Sequence, residues 1–194
     1  ASATTDSVSA DGIARAMQDS VNRAQPGYVV DSIFLIAEEM RRFNEGLVRP
    51  DSLTGGATTR TELVRKFTAA LARHDTSSLR QMHVTRAEFG HFVFLESPYS
   101  RPPYKTKPGL IWLQLMSESE RGMSRLLERV AGNAVRISDL QCEATPDRQG
   151  PNRYWRNCTM MVRDGNGRSR RLHLFGQILE RDGRAKFLSY DTSF

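Results

Sequence analysis

The stretch that decides the fold is residues 153–191, RYWRNCTMMVRDGNGRSRRLHLFGQILERDGRAKFLSYD. Apolar and polar residues alternate in it with period two, which is typical of strands. Two groups of residues that tolerate positive φ, Asp164–Gly167 and Asp182–Gly183, interrupt the alternation and predict hairpin turns. We therefore predict antiparallel strands at 153–163, 169–180 and 184–191, preceded by a fourth at 134–144.

The turns also predict a strand register. A two-residue loop at Asp182–Gly183 places Phe175 opposite Tyr190. If Asp164–Gly167 closes the preceding hairpin equally tightly, His173 lies opposite Cys158. Since a slip of one residue moves every side chain to the other face of the sheet, the faces depend on these turns.

The first half of the chain has helical periodicity instead. We predict one helix from Asp11 to about residue 24 and a second at 29–45. Three capping boxes predict the starts of three more helices: Thr59-x-x-Glu62, Thr85-x-x-Glu88 and Ser117-x-x-Glu120. Residues 97–108 hold four prolines and predict a surface loop. The apolar run 110–116, which contains Trp112, is interpreted as a strand. The prediction is an α+β protein with N-terminal helices followed by an antiparallel sheet.

The composition restricts the function classes. Hydrophobic residues make up 39% of the 194 residues and charged residues 26%, which is typical of a globular chain. We predict no transmembrane segment, because no apolar run approaches the ~18 residues that a membrane span needs. The net charge is +6, but its arginines are scattered among acids. Nucleic-acid binding is therefore not expected, although Arg168–Arg171 form one compact cluster.

The two cysteines fall on consecutive predicted strands. A hairpin centred on Gly150 places Cys142 directly across from Cys158, which favours a cross-strand disulfide. The alternative is a pair of buried free thiols, as suits a cytosolic protein. The disulfide is the preferred interpretation and favours an extracytoplasmic location, periplasmic or secreted.

The order of elements resembles the NTF2-like (SnoaL-like, cystatin-like cone) superfamily over about residues 57–194. The resemblance rests on the helix Glu62–Arg73, the following turn from Asp75 to Leu79, and the last strand with its run Lys186–Tyr190. It implies a curved sheet wrapped around the first helix, with a conical pocket between them. Residues 1–56 lie outside it, as an N-terminal helical arm and linker attached to an α+β domain at 57–194.

Six residues are candidates for lining such a pocket: Trp112, Tyr154, Trp155, His173, Phe175 and Tyr190. The alternative is that these aromatics are ordinary core. The sequence holds no recognisable catalytic set, no metal-binding spacing of His and Cys, and no Gly-rich phosphate loop, so we expect neither a metal nor a cofactor. Two titratable residues of the short helix predicted after Thr85, Glu88 and His91, are also candidates for reaching the pocket.

Three functions follow from these observations. The leading hypothesis is a non-catalytic ligand-binding or interaction module of the cell envelope, with a pocket for a small lipophilic ligand, that acts through a partner or as a homodimer formed by its open sheet face. The second is an enzyme of the isomerase, dehydratase or hydrolase kind, as the superfamily contains such enzymes. The third is an assembly protein that docks a partner through its helical arm.

Overall fold

The computed structural model describes Met17, Ser20, Val21 and residues 35–131 and 136–190. Most of the helix predicted from Asp11, residues 29–34 of the next predicted helix, and positions 134, 135 and 191 of the predicted strands lie outside these residues. From residue 36 onward the described chain is α+β, as predicted, with five α-helices followed by seven strands in two antiparallel sheets. The two sheets do not close into a barrel over this part of the chain.

The helices are α1 Ile36–Phe43, α2 Arg60–Ala72, α3 Thr76–Met82, α4 Arg86–Glu88 and α5 Pro108–Arg129. Helix α4 continues as a π-helical turn at Phe89–Val93 and a 3₁₀ turn at Phe94–Glu96. The strands are β1 Arg136–Gln141, β2 Asp147–Gln149, β3 Asn152–Trp155, β4 Thr159–Arg163, β5 Ser169–Leu172, β6 Ile178–Arg181 and β7 Arg184–Phe187.

The predicted capping signals start α2 and α4. Thr59 Oγ1 accepts the backbone N–H of Glu62 at 3.1 Å, which satisfies one of the free donors at the start of α2. At α4 the capping box is complete: Thr85 Oγ1 accepts from Glu88 N, and the Glu88 carboxylate accepts from Thr85 N at 2.7 Å.

The strand predicted at 110–116 is wrong, because these residues form the first half of α5. Pro108 occupies the start of the helix, where its missing N–H costs nothing. A short apolar run does not by itself distinguish a strand from a buried helix, so the periodicity is ambiguous. Ser117, predicted as a helix cap, therefore lies inside α5.

Two of the predicted strands are each divided between the two sheets. Strands β1, β4 and β5 form one sheet in the order β1-β4-β5, and the other has the order β2-β3-β6-β7. The predicted strand 153–163 breaks between β3 and β4, where Asn157 has φ 49°, a left-handed conformation that an extended strand does not contain. The predicted strand 169–180 divides in the same way into β5 and β6.

The register of the last hairpin is confirmed, and that of the preceding hairpin is wrong by one residue. Phe187 lies opposite Ile178 across the turn at Asp182–Gly183, as a two-residue loop requires. Leu172, however, pairs with Met160 rather than with Thr159. The loop is one residue longer than predicted, since Asp164 N donates to Arg168 O at 2.9 Å, so His173 does not lie opposite Cys158.

Two hydrophobic clusters hold these elements together. The first surrounds Phe67 of α2, whose ring centroid lies 5.2 Å from that of Phe187, 5.5 Å from Phe175 and 6.0 Å from Tyr190. The second joins α1 and the loop after it to the α4 region, and its members are Met40, Phe43, Leu53, Val84, Phe89, Phe92, Val93, Phe94, Tyr154 and Leu179. Residues between 36 and 56 thus contribute buried side chains to this cluster.

Candidate functional site

A cleft of about 170 Å³ opens between the C-terminal end of α3 and the middle of α5. One wall comes from His83, Val84 and the residues beside them, and the other from α5. Tyr190, which follows β7, contributes to the lining as well. Three separate parts of the chain therefore form the cleft.

Helix α5 presents a regular stripe to the cleft. Trp112, Met116, Ser119 and Met123 all line it, and their spacing is that of a single helical face. Three of the four side chains are apolar, and methionine adapts readily to ligands of different shape. The stripe gives the cleft an apolar wall with one hydroxyl in it.

Ser119 and His83 form a buried hydrogen-bonded pair at the cleft. His83 Nε2 lies 2.9 Å from Ser119 Oγ, and His83 Nδ1 lies 2.7 Å from the carbonyl oxygen of Val84. A carbonyl oxygen only accepts, so Nδ1 carries the proton and Nε2 accepts the hydroxyl proton of Ser119. Ser119 Oγ in turn accepts the backbone N–H of Tyr190 at 3.3 Å.

His83 is held in its neutral form. Its side chain is buried, with 5% of the residue exposed, and this burial lowers its pKa below the usual 6.5. The nearby ammonium of Lys186 lowers the pKa further, against the opposing effect of the hydrogen bond to Val84. A neutral imidazole with a fixed tautomer is a hydrogen-bond acceptor toward Ser119 throughout the neutral pH range.

Close backbone packing fixes α5 beside Tyr190. A Cβ atom on Gly122 would lie 1.4 Å from the Tyr190 carbonyl oxygen, so this position accepts only glycine at the observed separation. The Tyr190 hydroxyl donates to Leu79 O at 2.6 Å, and burial raises the pKa of that hydroxyl. Tyr190 is therefore fixed at its backbone by α5 and at its hydroxyl by α3.

The rim of the cleft is charged. Arg80 and Glu120 line it and form an ion pair with 3.1 Å between Arg80 Nη2 and Glu120 Oε2. Both side chains are largely exposed, so solvent screens the pair and it adds little to stability. The pair joins α3 to α5 across the opening.

Two of the six predicted pocket residues, Trp112 and Tyr190, lie at this cleft. Tyr154 belongs to the second cluster, where its hydroxyl accepts from Asn152 Nδ2 at 3.1 Å and burial raises its pKa to about 12. Phe175 is fully buried in the first cluster.

Trp155 and His173 also lie outside the cleft lining. The guanidinium carbon of Arg60 lies 3.5 Å from the centre of the Trp155 ring, and the indole N–H donates to Glu180 Oε2 at 2.8 Å. His173 is half-buried and follows β5. The structure thus divides the predicted set between core, sheet surface and cleft.

A second buried polar pair was not predicted. Lys186 Nζ of β7 lies 2.8 Å from Glu88 Oε2 of α4, and each side chain is only 1% exposed. The carboxylate also accepts from Thr54 N at 2.7 Å and from Thr85 N at 2.7 Å. Burial raises the pKa of Glu88, but the hydrogen bonds and the ammonium outweigh it and hold that pKa below its usual value.

The two titratable groups expected near a pocket, Glu88 and His91, do not line the cleft. Glu88 is paired with Lys186, and His91 is half-buried in the π-helical turn after α4. Sequence reasoning did not single out His83 or Ser119. The signal for Ser119 was the helical spacing of the α5 stripe, which the interpretation of residues 110–116 as a strand concealed.

Cys142 and Cys158 form the predicted disulfide, with Cα atoms 4.0 Å apart. The bridge joins the end of β1 to the residue before β4 and packs against the first cluster. Neither cysteine lines the cleft.

The outer face of the β1-β4-β5 sheet is basic. Arg136 pairs with Arg163 on this face, and Arg171 lies opposite Met161. Arg171 forms an ion pair with the exposed carboxylate of Asp139. Like charges on this face oppose close contact with an identical face.

No group of three or more His, Cys, Asp or Glu side chains among the described residues is arranged to hold a metal ion. Over the same part of the chain, no helix has both the length and the apolar character of a membrane span. The chain matches no protein-family model, no curated protein and no solved structure.

Proposed function

We propose that this protein is a non-catalytic, NTF2-like module that binds a small apolar ligand in the cleft between α3 and α5. The observation that carries the proposal is the set of apolar side chains on the α5 stripe beside a buried pair, His83–Ser119, whose members are hydrogen-bonded to each other. Polar groups that are satisfied by each other demand little of a ligand, so apolar contact dominates binding.

The size of the cleft limits the ligand. An engineered apolar cavity of about 150 Å³ accommodates benzene, and this cleft has a volume of about 170 Å³. A single ring with short substituents is the class of ligand that fits. Ser119 Oγ retains one lone pair beyond its two hydrogen bonds, which accommodates one donor on the ligand.

The NTF2-like assignment is supported by the packing of α2 against the C-terminal hairpin. Phe67 lies among Phe175, Phe187 and Tyr190, as expected for a helix enclosed by a curved sheet. The Cys142–Cys158 disulfide supports an extracytoplasmic location, since such bonds persist in oxidising compartments. The homodimer through the sheet face remains a prediction, and the arginines of that face count against it.

The test is stabilisation by a ring-sized probe. Toluene is expected to raise the unfolding temperature of the protein in a saturable way, because a ligand that binds only the folded state stabilises it. Met116→Trp fills the cleft and is expected to abolish this shift. Met161→Trp, at a half-buried methionine of β4, is the matched control and is expected to retain it. A shift that is absent, or equal in both variants, contradicts the proposal.

A second candidate function, a hydrolase, is favoured by the separation of 2.9 Å between Ser119 Oγ and His83 Nε2. In that role Ser119 is the nucleophile, His83 takes its proton, and the carbonyl of Val84 orients the ring. Binding is the preferred function because Ser119 is only 3% exposed and its oxygen already accepts from Tyr190 N.

A fluorophosphonate probe distinguishes the two functions. Covalent modification of Ser119, located by peptide mapping and lost in His83→Asn, supports the hydrolase. An unmodified Ser119 in a protein that still binds toluene supports the binding module. The same measurement on Ser124, an exposed serine of α5, controls for non-specific reaction.

A further inference from the structure

The loop 97–107 and the first two turns of α5 form a surface of unusual composition. Large apolar side chains are exposed throughout it: 59% of Leu110, 66% of Leu113 and 61% of Tyr104 are accessible to solvent. Tyr99 and Leu95, at the start of the same region, are also exposed. We call these five residues, with the cations of the loop, the apolar tip.

The apolar tip is one structural unit. The rings of Tyr99 and Tyr104 have their centroids 5.8 Å apart, and Thr106 N donates to Tyr99 O at 2.8 Å, so the loop closes on itself. Its end continues directly into α5, where Leu110 and Leu113 are about one turn apart and share a face. Hydrogen bonding also ties Leu95 to the loop, since its carbonyl oxygen accepts from Ser100 Oγ at 3.0 Å.

After Glu96, every charge of the apolar tip is positive. Arg101, Lys105 and Lys107 fall between Glu96 and Glu118, and that interval contains no aspartate or glutamate. Glu96 Oε2 lies 3.9 Å from Arg101 Nη2, which is a loose contact. Exposed leucines and tyrosines beside cations are the composition of segments that lie in the interface of an anionic membrane.

We propose that the apolar tip inserts peripherally into the surface of an anionic phospholipid membrane. Leu110 and Leu113 enter the acyl boundary, the tyrosines lie at the level of the headgroups, and the cations contact lipid phosphates. Charge complementarity selects this occupant over a second copy of the chain, because a symmetric dimer would place one cationic tip against another.

Membrane binding by the apolar tip would also place the cleft near the membrane. Trp112 lines the cleft and lies between Leu110 and Leu113 on the same helix. An apolar ligand that partitions into lipid would therefore reach the cleft from a membrane-bound tip. Membrane binding itself does not depend on whether the cleft holds a ligand.

Vesicle flotation of the full chain tests the proposal. We expect binding to vesicles that contain phosphatidylglycerol, weakening with added salt, and little binding to vesicles of phosphatidylcholine alone. The double variant Leu110→Ser, Leu113→Ser is expected to lose binding, and Lys105→Gln to weaken it roughly fivefold. Control variants are Val48→Ser, at an apolar side chain with 87% exposure, and Arg148→Gln, at an exposed arginine of β2.

The outcomes of the flotation experiment separate clearly. Binding lost in the tip variants and kept in the controls supports the proposal. Absence of binding by the unaltered protein, or equal binding by tip and control variants, overturns it. Light scattering that reveals a dimer dissociated by Leu110→Ser overturns it in favour of a second copy. Urea unfolding shows whether each variant is folded. If the double variant does not fold, Lys105→Gln still tests the proposal, because it changes only a surface side chain.

Discussion

Two buried polar pairs among the described residues, Glu88–Lys186 and His83–Ser119, differ in charge and in access to the cleft. Glu88–Lys186 is an ion pair with both side chains 1% exposed, and neither residue lines the cleft. His83–Ser119 is neutral, and both of its members line the cleft. The first pair joins α4 to β7, and the second joins the residue after α3 to α5.

The difference indicates separate roles. A buried charge that is surrounded by hydrogen bonds stabilises one arrangement of the chain and is costly to leave unpaired. A neutral pair beside an apolar cleft contributes less to stability and leaves the site free for a ligand. Changes at Glu88–Lys186 should therefore cost more stability than changes at His83–Ser119.

The largest expected effect is that of Glu88→Gln. The substitution leaves the Lys186 ammonium buried without its counter-charge, so we expect the free energy of unfolding to fall by about 3–5 kcal/mol. Urea unfolding measures this loss. The double variant Glu88→Gln, Lys186→Met removes both charges and should recover most of it, and failure to do so would show that the pair is not the source of the effect.

Removal of the disulfide is expected to have the next largest effect. Cys142 and Cys158 are separated by 16 residues, and a loop of this size corresponds to about 3 kcal/mol of stabilisation. Cys142→Ser with Cys158→Ser should therefore lower the free energy of unfolding by that amount and leave toluene binding intact. Loss of binding at a temperature where the variant is folded would contradict the separation of the cleft from the sheet.

Ser119→Ala is expected to cost less, about 2 kcal/mol. It removes the donor to His83 Nε2 and the acceptor of the Tyr190 N–H, both of which are buried. Ser124→Ala, on the exposed side of α5, is the control and should be close to neutral. Comparable losses in the two variants would mean that Ser119 holds nothing in place.

The smallest expected effect is on pH dependence. His83 has a pKa below its usual 6.5 in the folded protein, so the unfolded state binds more protons and stability falls as the pH drops below 6.5. His83→Asn should reduce the slope of stability against pH below 6.5. Burial also lowers the pKa of His91, so His91 should account for part of the slope that the variant retains.

Glu88 changes stability in the same direction as His83 but over a lower pH range. Its pKa lies below the usual 4.5, so its contribution is present above pH 4.5 and disappears as the pH falls through the lower folded value. Urea unfolding at several pH values resolves the two ranges. A slope between pH 6.5 and 4.5 that His83→Asn leaves unchanged would exclude His83 as its source.

Local chemical rules predicted the parts of the fold that depend on neighbouring residues. The cap at Thr59, the turn at Asp182–Gly183 and the Cys142–Cys158 pairing each follow from a few nearby residues or turns, and each is confirmed. The α+β class followed from the change of period along the chain.

The cleft could not be predicted in the same way, because it depends on where one element meets another. Residues 110–116 are apolar except for Gln114, so nothing local distinguishes the first half of α5 from a strand. The left-handed conformation of Asn157, which divides β3 from β4, likewise depends on tertiary packing and not on the neighbouring residues alone. Ser119 and His83 are 36 positions apart in the sequence, and they form a hydrogen bond only because α3 and α5 lie side by side in the fold.

The most direct test of the binding site is an NMR titration of the protein, labelled at its methionine methyl groups, with toluene. The seven methionines include Met116 and Met123 at the cleft, and Met40 and Met161 away from it. We expect saturable shifts of the Met116 and Met123 methyl signals, with Met40 and Met161 unchanged. Saturable shifts centred on Met40, or none at the cleft methionines, would contradict it.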